Sequence, residues 1–133
     1  MMTGSCCCGE IRFELSEPPM MMATCHCCRC RKVGASTFVF VRADTFRWIQ
    51  GRDMVTRYEA VSPYKYDRSF CSRCGTALGE PEGGETFPIN AHCLDDDPEV
   101  RVHFHEFVKE KPAWYDICDS AVRFDEHPVK VQE

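Results

Sequence analysis

Apolar and polar residues alternate along most of this chain with a period of two, the mark of strands that bury one face. Ile11, Phe13 and Leu15 fall on one side of a stretch whose other side carries Arg12 and Glu14. The same rhythm predicts strands over 37–41, 46–49, 54–58 and 65–70. It is clearest where Val100, Val102 and Phe104 interleave with Arg101, His103 and His105. Breakers separate these runs at Pro18-Pro19, Gly34, Gly51, Pro63, Gly83-Gly84 and Pro98. No 3.6-residue periodicity lasts long enough for a long amphipathic helix. Short helical turns are expected after Ala43-Asp44 and over 94–97. The expectation is a mainly β chain: one domain over 1–133, with a core from about 4 to 124 and a polar tail at 125–133.

Composition changes this picture little. At 133 residues, 44% hydrophobic and 28% charged, the chain is ordinary for a globular domain. A formal charge of −5 argues against a nucleic-acid backbone as the main partner. The first residues lack the basic and apolar regions of a signal peptide, and no apolar run has the length of a membrane span. A cytoplasmic chain with no membrane partner is therefore expected, where disulfides do not persist.

The cysteines change it a great deal. There are 11, gathered mainly in three motifs: Cys6-Cys7-Cys8-Gly9, Cys25-His26-Cys27-Cys28-Arg29-Cys30 and Cys71-Ser72-Arg73-Cys74-Gly75. A loop with two thiolates a few residues apart grips one edge of a zinc tetrahedron. Cys8 and Cys74 are each followed by glycine, which tolerates the positive φ that turns backbone amides toward sulfur. Cys6, Cys8, Cys71 and Cys74 therefore form a plausible closed, structural zinc site, joining positions more than sixty apart.

The middle motif has no such glycine and is followed by Arg31-Lys32, with Arg29 inside it. Three thiolates, Cys25, Cys27 and Cys30, leave one zinc position open, as catalytic sites do. Spacing leaves other arrangements standing. His26, Cys28 or Cys93 is an alternative fourth ligand, a pairing of Cys25 and Cys27 with Cys6 and Cys8 is another arrangement, and thiols serving redox chemistry without metal are a third.

With these motifs, the chain resembles the glutathione-dependent formaldehyde-activating enzyme family, which includes centromere protein V. The resemblance runs from about Gly4 to Phe124. It is carried by Gly4-Ser5-Cys6-Cys7-Cys8-Gly9, by 25–32, by Phe70-Cys71-Ser72-Arg73-Cys74-Gly75, by Ile89-Asn90-Ala91 and Leu94-Asp95-Asp96, and by 105–117 with Lys111-Pro112-Ala113-Trp114-Tyr115. It implies a β-tent fold, in which antiparallel sheets are tied by zinc knuckles. It also implies Cys6, Cys8, Cys71 and Cys74 as structural zinc ligands, and Cys25, Cys27 and Cys30 as ligands of a second, catalytic zinc. The extra thiols Cys7 and Cys28 depart from the pattern. The activity implied is of the S-(hydroxymethyl)glutathione synthase class, a carbon–sulfur lyase acting on a small thiol such as glutathione and an aldehyde such as formaldehyde. Arg29, Arg31, Lys32 and Trp114 are the candidate substrate contacts. A non-catalytic zinc-stabilised binding module and a thiol redox sensor are the alternatives.

For the remaining residues the bland expectation leads. His26 should project to the surface or site mouth. His103 and His105 should share a solvated strand face. Trp114 and Tyr115 should be core or sheet-closing aromatics, and Cys93 and Cys118 buried small hydrophobes. Asp95-Asp96-Asp97, before Pro98, should form a turn or cap.

Overall fold

The structure is a computed structural model, and it describes residues 1–129. The last residues of the expected polar tail, 130–133, lie outside the described residues. Eleven strands form two sheets among the described residues: β1 Met2–Ser5, β2 Arg12–Leu15, β3 Met21–Cys25, β4 Thr37–Arg42, β5 Phe46–Gln50, β6 Val55–Tyr58, β7 Arg68–Cys71, β8 Ala77–Gly79, β9 Thr86–Asn90, β10 Val102–Glu106 and β11 Val122–Arg123. The small sheet has the order β1-β2-β5 and the large one β11-β10-β3-β4-β9-β8-β7-β6. Pairing is antiparallel except at β10, which runs parallel to both β3 and β11.

The sheets meet over a core of Ile11, Phe13, Leu15, Val39, Val41, Leu78, Phe87 and Ile89. Ile11, Phe13 and Leu15 are the inward face expected from their alternation, and all three are buried. β1 can lie close to β2 because residue 4 is glycine. A Cβ there would sit 2.1 Å from the ring of Phe13. A second cluster, Cys25, Cys30, Ala35 and Phe38, lies at the end of β3.

Several elements depart from the alternation. β3 and β9 carry no clean period-two pattern, because each lies between two neighbouring strands and buries residues on both faces. β9 also contains Pro88, which reads as a strand breaker; its carbonyl still accepts from Glu80 N–H at 2.8 Å. The strand expected over 65–70 begins only at Arg68. The expected turn after Ala43-Asp44 is present as a 3₁₀ turn over Ala43–Thr45. The turn expected over 94–97 lies earlier, at Ala91–Cys93, where the Asn90 side chain accepts from His92 N–H. Asp95 and Asp96 instead accept from Thr3 and Ser5, tying the 94–97 segment to β1. One short helix, α1 Cys28–Val33, was not expected. The Cys27 sulfur caps its start and Gly34, at φ 82°, receives its end.

Candidate metal centres

The two cysteine groups lie in turns made for them. Cys6 and Cys8 flank the β1–β2 turn of the small sheet; Cys71 and Cys74 flank the β7–β8 turn of the large one. Gly9 and Gly75 both have φ 79°, as the glycine argument requires. In these turns Gly9 N–H donates to Cys6 O and Gly75 N–H to Cys71 O. The sulfurs of Cys6, Cys8, Cys71 and Cys74 lie within 4.8 Å of one another. Cys6 and Cys8 Sγ are 3.5 Å apart, and Cys8 and Cys71 Sγ 3.9 Å apart. A zinc tetrahedron with Zn–S of about 2.3 Å has sulfur–sulfur edges of about 3.8 Å, so this set fits the ion.

Polar neighbours prepare two of these sulfurs for charge, whereas at Cys8 the pull of the Glu10 backbone is outweighed by burial and the other three thiols, which push it up to about 12. Burial pushes the Cys6 thiol up, but the Ile11 N–H, 3.3 Å from its sulfur, and the Cys8 and Cys71 thiols outweigh it and lower it. The Thr76 hydroxyl and backbone N–H hold Cys74 down at about 5. The same hydroxyl accepts from Cys7 N–H at 2.9 Å, so Cys7 touches the turn through its backbone while its side chain is exposed.

The second group, Cys25, Cys27 and Cys30, also has its sulfurs within 4.8 Å of one another. Cys25 ends β3, Cys27 caps α1, and Cys30 lies on the buried face of that helix. Sharing hydrogen bonds with Cys27 and Cys30 pushes the Cys25 thiol far up, with burial adding to it, while the same contacts pull Cys27 down. Three crowded sulfurs, two of them buried, cannot all ionise without a nearby cation. The donor set fits a divalent ion bound by three protein sulfurs.

None of the alternative fourth ligands falls within this group among the described residues. Cys93 is buried as expected, but its thiol donates to Ala77 O at 3.1 Å, and burial pushes it up to about 12. Cys28 offers its backbone N–H to Glu110 at 3.3 Å. His26 is buried rather than at the surface, 3% exposed, because its ring stacks on His105 with centroids 5.0 Å apart.

His105 likewise corrects the expected solvated face. It is buried, its Nδ1 lies 2.8 Å from His26 Nε2, and its Nε2 lies 3.0 Å from Asp119. His103 keeps the exposed side, where its Nδ1 accepts from Met22 N–H. Trp114 and Tyr115 are exposed, not core, at 80% and 43%. Tyr115 still leans on His26, at 5.7 Å between rings. Cys118 is exposed too. The loop over 112–121 covers His26 and His105 through Tyr115 and Asp119, and most of its residues are exposed.

Of the cations expected at the site, Arg29 and Lys32 line a cleft beside the second group; Arg31, on the same helix, does not. Three residues at this site escaped the sequence. Asp119 joins His26 through His105. Half-buried Glu106 contacts Cys25, and burial raises its carboxyl. Arg68 has a terminal nitrogen 3.5 Å from Cys30 Sγ. No local motif marks them: Glu106 and Arg68 reach the cysteines through strand register, and Asp119 reaches His105 from the loop that follows β10.

The family model described as glutathione-dependent formaldehyde-activating enzyme matches residues 1–110. The chain belongs to this family. One relative of the glutathione-dependent formaldehyde-activating family, from Halomonas elongata, is 33% identical over 132 residues, covering 88% of this chain and 81% of that protein. Its name is "Putative glutathione-dependent formaldehyde-activating enzyme". An uncharacterized lyase of Schizosaccharomyces pombe is 24% identical over 123 residues, covering 91% of this chain and 88% of that protein. A crystal structure of a Rhodobacter sphaeroides protein superposes with a TM-score of 0.59 at 24% identity, covering 72% of this chain and 90% of that one. That likeness speaks for the fold, the β-tent that family membership implies. No helix among the described residues is long and apolar enough to cross a membrane.

Proposed function

We propose that this chain is a zinc-dependent carbon–sulfur lyase acting on thiol–aldehyde adducts, of the S-(hydroxymethyl)glutathione synthase class. The observation that carries this reading is the three-sulfur group Cys25, Cys27 and Cys30 with no fourth ligand in the group among the described residues, set beside a cleft lined by cations. Cys6, Cys8, Cys71 and Cys74 would hold a structural zinc, and Cys25, Cys27 and Cys30 the second. Such an ion supplies Lewis acidity and lowers the pKa of a thiol brought to it.

In the forward direction the substrate sulfur's electron pair forms the C–S bond to the aldehyde carbon. The C=O π pair moves to oxygen, and the proton lost by the thiol is replaced on that oxygen. No oxidant or reductant enters. The protein's residues position these groups. Cys25, Cys27 and Cys30 would fix where the sulfur sits, and Arg29 and Lys32 place positive charge in the adjoining cleft. Tyr115 covers the His26 side, with Trp114 beyond it as the exposed aromatic available to bound substrate.

A magnitude limits what ionisation alone achieves. A thiol of pKa about 8.5 is roughly 3% ionised at pH 7, so complete ionisation raises the thiolate about 30-fold. Orientation of the two reactants must supply the remainder. In the test, zinc-loaded protein is mixed with glutathione and formaldehyde and adduct exchange is followed by NMR. Exchange well above the protein-free rate, lost in Cys30→Ser, is expected; a rate equal to background sinks the proposal.

Exposed Trp114 favours a second reading, a zinc-stabilised binding module. That reading expects no rate enhancement and a single zinc per chain, against two for the enzyme, which metal analysis distinguishes.

A further inference from the structure

Each cysteine group contains one pair of thiols separated by a single residue, and the two enclosed residues behave oppositely. Cys7, between Cys6 and Cys8, is exposed. His26, between Cys25 and Cys27, is buried. Its ring is the first of three linked side chains. His26 Nε2 lies 2.8 Å from His105 Nδ1, and His105 Nε2 lies 3.0 and 3.1 Å from the two carboxylate oxygens of Asp119. The same spacing thus serves both groups, but only the second has a hydrogen-bonded line behind it.

The backbone shows what that line does. β3 ends at Cys25, and Cys27 is again extended, at φ −63° and ψ 157°. Side chains alternate sides along an extended chain, so residues 25 and 27 face one way and residue 26 the other. On one side the sulfurs of Cys25 and Cys27 meet Cys30; on the other the His26 ring stacks on His105. A hold on residue 26 from behind keeps both sulfurs forward. The backbone adds to it, since His26 N–H donates to Glu106 O at 2.9 Å. The far end of the line is fixed as well. His105 lies in register with Thr24 on β3 and Arg123 on β11, and its carbonyl accepts from Phe124 N–H at 2.8 Å. The Asp119 carboxylate accepts from Ala121 N–H at 2.9 Å. His105 therefore cannot follow the 25–27 loop if that loop moves.

We propose that Asp119 and His105 are positioning residues for the second metal centre: through His26 they hold Cys25 and Cys27 in the metal-binding arrangement and so set how firmly the ion is retained there. The other centre does not depend on them. It has four sulfurs from two turns, whereas the second has three, two of them on the loop that this line holds. Groups that orient ligands without touching the metal commonly change its affinity by about 10- to 100-fold. The proposal rests on the reading of Cys25, Cys27 and Cys30 as ligands of a second zinc, and on no assumption about what that zinc does.

The test follows zinc release from the zinc-loaded protein into an excess of the chromogenic chelator pyridylazoresorcinol, at neutral pH and well below the melting temperature. The parent is expected to release two zinc ions per chain in two phases. Cys30→Ser removes a ligand and identifies the phase of the second centre by its loss. Asp119→Ala should quicken that phase about tenfold, the low end of what supporting groups do to metal affinity, and leave the other phase unchanged. Asp119→Asn keeps an oxygen that accepts from His105 and should restore most of the parent rate. His105→Phe keeps a ring against His26 but breaks both hydrogen bonds, and should release at least as fast as Asp119→Ala. Equal quickening of both phases marks a general loss of stability and overturns the proposal. Indifference of the second centre's phase to Asp119→Ala and His105→Phe overturns it too, while leaving the second zinc in place. A parent that holds one zinc per chain removes the second centre itself, and the proposal with it.

Discussion

At the scale of single residues, the His26–His105–Asp119 chain has one proton arrangement in which both imidazoles are neutral. An ionised Asp119 only accepts, so His105 Nε2 donates to it and His105 Nδ1 accepts from His26 Nε2. The hydrogen bond from His105 holds the Asp119 carboxyl below its ordinary value of 3.8, helped by the Ala121 N–H at 2.9 Å. A carboxylate with a depressed folded pKa contributes stability above its unfolded value and loses it as pH falls through the folded one. Asp119→Ala is therefore expected to melt at a lower temperature than the parent above about pH 5. The difference should close below pH 4. Melting curves across pH check this, and a difference that stays constant into acid contradicts it. That His105 alternates with Phe104 on β10 was legible in the sequence. Its burial was not, because period-two alternation shows which residues share a face and is silent on what covers that face. Here the covering group is a loop carrying Tyr115 and Asp119.

At the scale of elements, close approach decides more than propensity. β1 is too short and irregular to announce itself, yet Gly4 marks where it must pass Phe13. Phe13 is 2% exposed and stacks on Phe46 at 5.1 Å, so it has no space into which to yield. Gly4→Ala is expected to destabilise the protein by about 1–3 kcal/mol, the usual cost of overpacking. Urea denaturation measures it, and an unchanged midpoint shows that β1 can shift away. α1 was readable only at its end, where basic Arg31 and Lys32 precede Gly34. Its start is capped by a cysteine sulfur rather than the usual oxygen side chain, accepting from Cys30 N–H at 3.4 Å. A helix of one and a half turns survives on that cap, on the glycine and on burial of Cys30, none of which a hydrophobic period reveals.

At the scale of the molecule, the two cysteine groups carry different burdens. The group containing Cys71 joins a turn of the small sheet to a turn of the large one, whereas Cys25, Cys27 and Cys30 lie within a single β3–α1 connection. A structural zinc contributes on the order of 10 kcal/mol, comparable with a small domain's whole stability. Cys71→Ser, or complete chelation, is therefore expected to unfold the protein or part the sheets, read as lost near-ultraviolet circular dichroism. Cys30→Ser should leave a cooperative melt, since the large and small sheets remain joined at the other centre. Equal losses from the two substitutions argue against this division of labour.

The sequence alone determined the strand-rich class, the three cysteine motifs and the glycines that shape two of their turns. These are local matters: residues two or three apart in a loop bring their sulfurs together whatever the rest of the chain does, and Gly9 and Gly75 meet a backbone need at their own positions. Only the tertiary structure decided which turns face each other across the sheets, that His26 and His105 are buried in a line ending on Asp119, and that Arg68 reaches Cys30 from a strand 38 positions away. Those contacts depend on strand order and register, and a sequence that alternates correctly is compatible with many orders and registers until the sheets are closed.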